Sequence, residues 1–403
     1  MHALGLDFGT SGARACICGA DGEPRWQWRI EWNSRQAMDP QCWQQALDAL
    51  LAAIPPELGA TLHAIALDAT SGTAVLTDSA LHPITPVLPY FQPLPAQPGA
   101  RLDWLLAHDT AQQARHLLHQ ADWLNSRLLG RPAPSDWHNA LKTGYDPVRL
   151  EWQKVLQQHP ARKLLPDVVA PGSLLGRLDA ALAQRFGLDP ACEVRAGTTD
   201  STAAALAAGL LRPGDALTSL GSTLTVKVVS LRPIVSPIHG VYSHRLGEFW
   251  LAGGASNSGG AVLRQFFDDA QLRDYSCRID PLHDSPLDYY PLPARGERFP
   301  RHDPQLEPRL TPRPTEPVAF LHGLLQGMAH IEREGYQLLE SLGAPPPRRV
   351  FTAGGGSRNP QWMALRERLL GVPVTTVEHS EAATGSARLA LGRLAPPAAL
   401  IAE

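Results

Sequence analysis

The chain opens with the segment that decides the fold, Leu4-Gly5-Leu6-Asp7-Phe8-Gly9-Thr10-Ser11-Gly12-Ala13-Arg14. A short apolar run over residues 3–6 leads into a turn of small residues, and residues 13–18 resume a strand-like pattern. This order is typical of a strand, a tight turn and a second strand. Asp21-Gly22 predicts another hairpin turn before a strand over residues 26–32. We therefore expect the chain to begin as a three-stranded meander.

The same order of strand, small-residue turn and strand returns about 210 residues later. Residues 216–220 and 224–229 are strand-like on either side of the turn Gly221-Ser222-Thr223. A recurrence halfway along a chain is what a duplicated domain pair leaves, with each half contributing one hairpin loop to a shared cleft. We therefore predict two duplicated domains around a central cleft, with the break at Pro213-Gly214 as the candidate boundary.

Hydrophobic periodicity predicts the elements between and after the two hairpins. It indicates helices over 43–54, 110–129, 202–211, 318–342, 360–370 and 381–394, and strands over 64–67, 192–196, 249–252 and 349–353. Residues 280–317 are rich in proline and predict a long irregular excursion on the surface. The expected fold class is α/β with mixed sheets.

Composition and charge restrict the class of protein. The chain has 403 residues, 44% of them hydrophobic, so it should hold two or three globular units. Its 36 Lys and Arg residues nearly balance its 39 Asp and Glu residues, which argues against nucleic-acid and membrane-surface partners. We expect neither a transmembrane span nor a signal peptide, and hence a cytoplasmic location. The five scattered cysteines indicate reduced thiols rather than a disulfide framework or a zinc site.

Four small-residue loops follow predicted strands, at residues 9–12, 70–73, 197–199 and 221–223. Exposed backbone N–H groups and hydroxyls in such loops suit the binding of phosphates, although any one of them could be a plain hairpin turn. The sequence contains no G-x-x-x-x-G-K-[ST] motif and no G-x-G-x-x-G after a strand, which excludes P-loop and dinucleotide-binding readings. The signatures of zinc peptidases and serine hydrolases are also absent.

Two aspartates stand where phosphate chemistry would need them. Asp7 ends an apolar strand at the first loop, and there it either caps its own turn or orients Mg²⁺ or its waters near phosphates. Asp200 stands between a strand and a helix, where it is either an N-cap or a base that takes a proton from an alcohol. Asp68 has a similar setting and is interpreted as structural.

The chain resembles the FGGY carbohydrate kinases through segments that come in that family's order. They are the opening segment 4–14, Asp136-Trp137-His138-Asn139-Ala140-Leu141-Lys142-Thr143-Gly144-Tyr145-Asp146, Ala196-Gly197-Thr198-Thr199-Asp200-Ser201, Ser219-Leu220-Gly221-Ser222-Thr223 and Thr352-Ala353-Gly354-Gly355-Gly356-Ser357-Arg358-Asn359. The strongest likeness is to the short pentulose-kinase branch, of the D-ribulokinase and xylulokinase type. The resemblance implies the actin-like ATPase (ribonuclease H-like) fold.

Residue roles follow from this resemblance. It implies that Asp200 is the catalytic base and that Asp7 is catalytic and binds the metal ion, while Asp7, Ser71 and Asp200 approach the sugar. The cofactors implied are ATP and Mg²⁺. The nucleotide-binding residues implied are Gly9, Thr10, Ser11, Gly221, Ser222, Thr223, Gly355, Gly356 and Asn359. Residues 1–212 with 386–403 would form the sugar-binding and catalytic domain, and residues 213–385 the nucleotide-binding domain.

The chain departs from the family pattern in the segment that follows the strand near position 88. Longer members carry Trp-x-Asp-x-Arg there, whereas this chain has Val87-Leu88-Pro89-Tyr90-Phe91-Gln92. The polar sugar clamp is missing. Residues 93–120 also look shortened and lack the usual Lys-Leu-x-Trp block. Part of the sugar pocket must therefore come from elsewhere in the chain.

The sequence thus predicts an ATP-dependent kinase of a ketopentose, D-ribulose or D-xylulose. The alternatives are a kinase of a tetritol, hexulose or glycerol, a nucleotide-dependent switch protein, and a sugar sensor without turnover. The partners expected are a small sugar and ATP, with no nucleic acid and no membrane, for a monomer or a homodimer.

Overall fold

The computed structural model describes residues 1–33, 35–95, 97–210, 212–377 and 381–392. The described residues within Met1–Gly209 and Glu381–Leu394 form one compact unit, and the described residues within Leu210–Ser380 form a second. The domain ranges and roles expected from the sequence stay predictions. Within the described ranges, none of the helices is long and apolar enough to cross a membrane.

The strands are numbered in chain order, and most strands of the first unit are short. The first unit contains β1 (His2–Phe8), β2 (Gly12–Gly19), β3 (Pro24–Glu31), β4 (Leu62–Ala69), β5 (Ala74–Thr77), β6 (His116–His119), β7 (Ser135–Asp136), β8 (Tyr145–Asp146), β9 (Glu151–Trp152), β10 (Val168–Val169), β11 (Leu174–Arg177), β12 (Glu193–Arg195) and β13 (Thr198–Thr199). The second unit contains β14 (Asp215–Leu220), β15 (Leu224–Ser230), β16 (Tyr242–Leu246), β17 (Phe249–Ser256), β18 (Arg349–Ala353) and β19 (Val374–Thr376).

The helices divide between the two units in chain order, except that the last one returns to the first unit. The first unit contains α1 (Pro40–Ala52), α2 (Pro56–Gly59), α3 (Ala100–His108), α4 (Gln120–Leu129), α5 (Trp137–Leu141), α6 (Lys154–Gln157), α7 (Ala180–Phe186) and α8 (Asp200–Ala207). The second unit contains α9 (Gly260–Leu263), α10 (Asp269–Cys277), α11 (Pro317–Ser341) and α12 (Pro360–Leu370), and α13 (Ala382–Ala390) completes the first.

The two main sheets share one order of strand pairing. In the first, β1 pairs antiparallel with β2, β2 pairs antiparallel with β3, and β4 lies parallel to β1 on its other side. In the second, β14 pairs antiparallel with β15, β15 pairs antiparallel with β17, and β18 lies parallel to β14. This repeated arrangement confirms the duplicated hairpin that the sequence predicted.

The central strands of the first sheet are covered on both faces. Leu4, Leu6 and Ile17 pack in one core with leucines of α1 and α4, while Cys16 and Cys18 pack against Ala383 and Ala387 of α13. A Cβ on Gly5 would lie 1.8 Å from the Ala383 carbonyl oxygen, so this glycine is what lets α13 approach β1. The five cysteines are free thiols, of which Cys16, Cys18 and Cys192 are buried and Cys277 is exposed.

The second unit has a charged pair inside its core. Arg366 of α12 and Glu332 of α11 are fully buried and form two hydrogen bonds of 2.6 Å, from Nε to Oε2 and from Nη2 to Oε1. Thr218 of β14 also donates to Glu332, and Arg366 Nη1 donates to the Thr352 hydroxyl of β18 at 2.9 Å. The pair thus ties two helices to the two adjacent parallel strands.

Two local predictions were wrong. The helix predicted over 110–129 begins only at Gln120, because His119 is extended and forms a capping box with Asp122, and residues 116–119 pair as β6 with β5. The predicted loop at 197–199 is largely strand, because Thr198 and Thr199 form β13 beside β4 and are fully buried. The irregular course predicted for 280–317 is confirmed up to the start of α11 at Pro317.

Candidate active site

Three aspartates of the first unit lie at the ends of neighbouring parallel strands. Asp7 near the end of β1 pairs in register with Asp68 of β4, and Asp68 pairs on its other side with Thr198 of β13. Asp200 follows β13 directly, as the first residue of α8. Because carboxyl ends of parallel strands meet at one edge of a sheet, the three carboxylates gather there, and the charge of Asp200 acts on both Asp7 and Asp68.

Asp7 is nearly buried and has one cationic partner. Its side chain is 7% exposed, and Arg14 Nη1 donates to its Oδ2 at 2.9 Å. Burial raises the pKa of Asp7, the Arg14 guanidinium lowers it and the nearby charge of Asp200 raises it, and the result of these effects together is a pKa of about 6. The group therefore titrates close to neutral pH, as carboxylates at functional sites often do.

Asp68 is fully buried between the two other carboxylates. The Ser386 hydroxyl of α13 donates to its Oδ2 at 2.7 Å, and Oδ1 has no hydrogen-bond partner among the described residues. Burial, and next the charge of Asp7, raise the pKa of Asp68 well above its usual value. Both effects favour the neutral form of Asp68. The sequence interpretation of Asp68 as structural missed its position in this group, which depends on the register between β1 and β4.

Asp200 is not the N-cap of its helix. Thr199, which has extended backbone angles, occupies the N-cap position, and Asp200 begins the first turn of α8. The backbone N–H of Ser201 donates to Asp200 Oδ1 at 2.6 Å. The half-buried carboxylate is thus fixed at the edge where Asp7 and Asp68 lie. This geometry favours the functional reading of Asp200 over the capping one.

Ser71 lies in the turn between β4 and β5, and Arg101 and Lys142 contact this turn at Gly72. The turn is held at Gly72, whose carbonyl oxygen accepts a hydrogen bond from Arg101 Nη2. The stem of Lys142 packs on the same glycine, because a Cβ at Gly72 would lie 2.9 Å from Lys142 Cβ. Neither Arg101 nor Lys142 was singled out from the sequence, since both reach the turn from distant parts of the chain.

The first predicted phosphate loop is a tight hairpin with an exposed tip. The Gly9 N–H donates to the Gly12 carbonyl at 3.0 Å, and Trp32 Nε1 donates to the Gly9 carbonyl at 3.1 Å. Thr10 and Ser11 are exposed, with Arg14 Nη2 3.4 Å from the Ser11 hydroxyl. Hydroxyls and a guanidinium at one hairpin tip suit the binding of an anionic group.

The other predicted nucleotide segments belong to the second unit and come together at one edge of its sheet. The loop 221–223 follows β14 and the segment 354–356 follows the adjacent parallel strand β18. A Cβ on Gly356 would lie 2.7 Å from Leu220 Cβ, which shows how closely the two segments approach. Gly355 is exposed, and nothing within 4 Å would meet a Cβ there.

Some side chains in these segments already form hydrogen bonds within the second unit. The Ser222 hydroxyl accepts a hydrogen bond from Arg264 at 3.0 Å, a cation that sequence reasoning had not selected. Thr223 is half-buried. Asn359 is the N-cap of α12: its Oδ1 accepts from the Trp362 N–H at 3.0 Å and its Nδ2 donates to Ser276 at 2.8 Å. Asn359 therefore has a structural role in addition to the one the sequence predicts.

The two repeated sheets, each in its own compact unit, define the class of protein as a two-unit α/β protein. Models of the N-terminal and C-terminal domains of the FGGY family of carbohydrate kinases match residues 91–207 and 216–392. The chain belongs to the FGGY family of carbohydrate kinases. Membership of a kinase family implies that the protein uses ATP.

Individual relatives agree with this assignment. The chain is 23% identical to xylulose kinase of Escherichia coli strain K12, over 99% of this chain and 91% of the relative. Its fold is similar to that of xylulose kinase from Rhodospirillum rubrum, with a TM-score of 0.82 and 22% identity over 97% and 89% of the two chains. It is also similar to gluconate kinase from Lactobacillus acidophilus, with a TM-score of 0.80 and 16% identity over the same shares. These neighbours show the actin-like ATPase fold.

Proposed function

We propose that the protein transfers the γ-phosphate of ATP to the terminal C5 hydroxyl of a ketopentose, D-ribulose or D-xylulose. The observation that carries this proposal is the position of Asp200, at the start of α8 and beside the carboxyl groups of Asp7 and Asp68. A half-buried carboxylate at such an edge can accept a proton from an alcohol. A relative that is matched over almost the whole chain is named xylulose kinase.

Each residue then has a defined task. Asp200 takes the hydroxyl proton while the sugar oxygen forms a bond to the γ-phosphorus and the bond from phosphorus to the bridging oxygen breaks, which releases ADP. Asp7 and Ser71 bind the sugar. In the first unit, the hairpin residues Gly9, Thr10 and Ser11 bind phosphate. In the second unit, Gly221, Ser222 and Thr223 bind phosphate, and Gly355, Gly356 and Asn359 hold adenosine.

The donors in the first unit fit a magnesium ion that arrives with ATP. The described residues contain no cluster of three or more His, Cys, Asp or Glu side chains able to hold a metal ion by themselves. Mg²⁺ commonly keeps several waters and binds through one or two carboxylates and substrate phosphates. Asp7, with its nearly buried carboxyl group near the end of β1, would supply the carboxylate. When bound, the ion would neutralise charge on the phosphate oxygens.

A coupled assay of ADP release over pentuloses, pentitols, hexuloses, glycerol and gluconate tests the proposal. We expect one of the two pentuloses to give the highest kcat/KM, with phosphate found at C5 by NMR of the product. Higher efficiency with glycerol, a hexulose or gluconate would contradict the substrate assignment. Slow ATP hydrolysis that no sugar stimulates would instead indicate a nucleotide switch, and sugar binding without any turnover would indicate a sensor.

A further inference from the structure

Lys142 lies beside the candidate sugar site and is not used by the mechanism above. It follows α5, whose first turn is capped by the buried carboxylate of Asp136, and the next residue, Thr143, is hydrogen-bonded through its hydroxyl to His119 Nε2 at 2.9 Å. Both anchors are buried. The backbone at Lys142 is therefore fixed by polar contacts inside the unit, although its own side chain is exposed.

The side chain of Lys142 extends over the turn that contains Ser71. A Cβ on Gly72 would lie 2.9 Å from Lys142 Cβ and 3.0 Å from Lys142 Cδ, so the aliphatic stem crosses this glycine in close contact. Gly72 has a φ of +77°, in the region that favours glycine. A larger residue at position 72 would be both strained and in collision with the lysine.

The Lys142 ammonium ends above an aromatic ring. Its Nζ lies 5.5 Å from the centroid of Tyr90, a ring that is 40% exposed. Among the residues that the structure describes, the ammonium has no hydrogen-bond or ion-pair partner. A Lys ammonium carries three donors and no acceptor. Its donors are therefore available to a ligand that lies between Tyr90 and the Ser71 turn.

Arg101 holds the two sides of this arrangement together. Its Nη2 donates to the Gly72 carbonyl and lies 3.4 Å from the Pro89 carbonyl, next to Tyr90. The turn under Lys142 and the segment that carries Tyr90 are thus linked by one guanidinium. The positive charge of Arg101 also acts on Lys142. The arrangement is pre-formed, which lowers the entropic cost of binding a ligand there.

The charges around Lys142 indicate which kind of ligand fits. The charge of Asp200 acts on Lys142, and Asp200 in turn acts on Asp7. The proposed reaction brings a neutral sugar hydroxyl to Asp200, and a neutral polyol can accept hydrogen bonds from the ammonium and donate others to carboxylates. We propose that Lys142, extended across Gly72 and over Tyr90, is a sugar-binding residue that donates hydrogen bonds to oxygen atoms of the neutral sugar substrate.

This inference rests on the proposed function and adds a residue that determines sugar affinity. The Lys142→Met variant keeps the stem and removes the donors, so it tests the ammonium alone. We expect the KM for D-ribulose and D-xylulose to rise about 10- to 100-fold, the scale of a lost hydrogen bond to a charged group, while kcat and the KM for ATP change little. Lys142→Arg, which keeps the charge and the donors, should recover part of the sugar affinity.

Lys163→Met is the matched control, because Lys163 is exposed in the same unit. It should leave all three constants unchanged. Calorimetric titration of each pentulose without ATP should show the same loss of affinity for Lys142→Met. An unchanged sugar KM, or a rise in the KM for ATP alone, would overturn the role of Lys142. A wild-type protein that phosphorylates no sugar would overturn the proposed function itself, and this result is seen before any variant is compared.

Discussion

Asp7 and Asp68 face each other in register on the parallel strands β1 and β4, and the protein raises the pKa of both carboxyl groups. The charges of the two groups act on each other, so both carboxyl groups do not ionise easily together and one is expected to keep its proton. Arg14 is bonded to Asp7 and the neutral Ser386 hydroxyl to Asp68. The charged role therefore belongs to Asp7, and the protonated role to Asp68.

Asp68→Asn tests the protonated state of Asp68, because an amide has nearly the shape of the neutral acid. A buried carboxyl group whose pKa is raised by folding contributes fully to the stability of the protein below its unfolded pKa of about 4. This contribution is lost as the pH rises from the unfolded pKa towards the folded pKa. The variant does not titrate there. Between the unfolded and the folded pKa of Asp68, the free energy of unfolding of the variant should therefore increase relative to that of the wild type by about 1.4 kcal/mol per pH unit.

Urea unfolding of both proteins between pH 4 and pH 8 measures this difference. Asp167→Asn, at an exposed position of the same unit, is the control and should follow the wild type at every pH. A constant offset between Asp68→Asn and the wild type would show that the pKa of Asp68 is not raised by folding.

Arg14→Met should shift the acidic limb of the profile of kcat/KM against pH to higher pH. Arg14 lowers the pKa of Asp7, which burial raises to about 6, so loss of the guanidinium raises that pKa further. If ionised Asp7 is required, kcat/KM rises with pH through the pKa of Asp7 in the free enzyme. We expect the limb to shift upward by about one pH unit. Arg29→Met removes an arginine that is 72% exposed, and a similar shift in that control, or none in Arg14→Met, would refute the assignment.

Arg366→Met should strongly destabilise the second unit. The substitution leaves Glu332 fully buried without its cationic partner, and loss of one member of a buried pair costs about 3–5 kcal/mol. Arg301→Met is the control, because Arg301 pairs with Glu334 at the surface, where a pair contributes about 1 kcal/mol or less. Denaturant unfolding followed by circular dichroism compares the two. Equal effects would contradict the structural role of the buried pair.

The two pentuloses should be distinguished only moderately. They differ in configuration at C3, and a site rejects an epimer strongly only when buried polar groups are left unpaired. Lys142 and Tyr90 are both exposed, and the segment 87–92 lacks the expected polar clamp. We therefore expect kcat/KM for D-ribulose and D-xylulose to lie within about two orders of magnitude. A ratio above about 10⁴ would show a tighter polar pocket than these residues form.

Sequence reasoning succeeded where the signal is local. The hairpins of β1–β2 and β14–β15 were predicted because small-residue turns separate short apolar runs, and Asp200 was selected because it follows a strand and precedes a helix. Contacts between distant residues gave no such signal. The register that pairs Asp7 with Asp68, the strand pairing that replaces the first half of the predicted helix 110–129, and the passage of Lys142 over Gly72 all depend on the tertiary fold.

The central claim is that Asp200 is the base that takes the proton from the sugar hydroxyl. Asp200→Asn keeps the shape of the side chain and removes its basicity. The most direct measurement compares kcat of this variant with that of Asp167→Asn on the preferred pentulose, alongside calorimetric titration of ATP. We predict a kcat lower by about 10²- to 10⁴-fold with nearly unchanged ATP affinity. A kcat close to that of the wild type would contradict the account, and Asp200 would then have only a structural role in the first turn of α8.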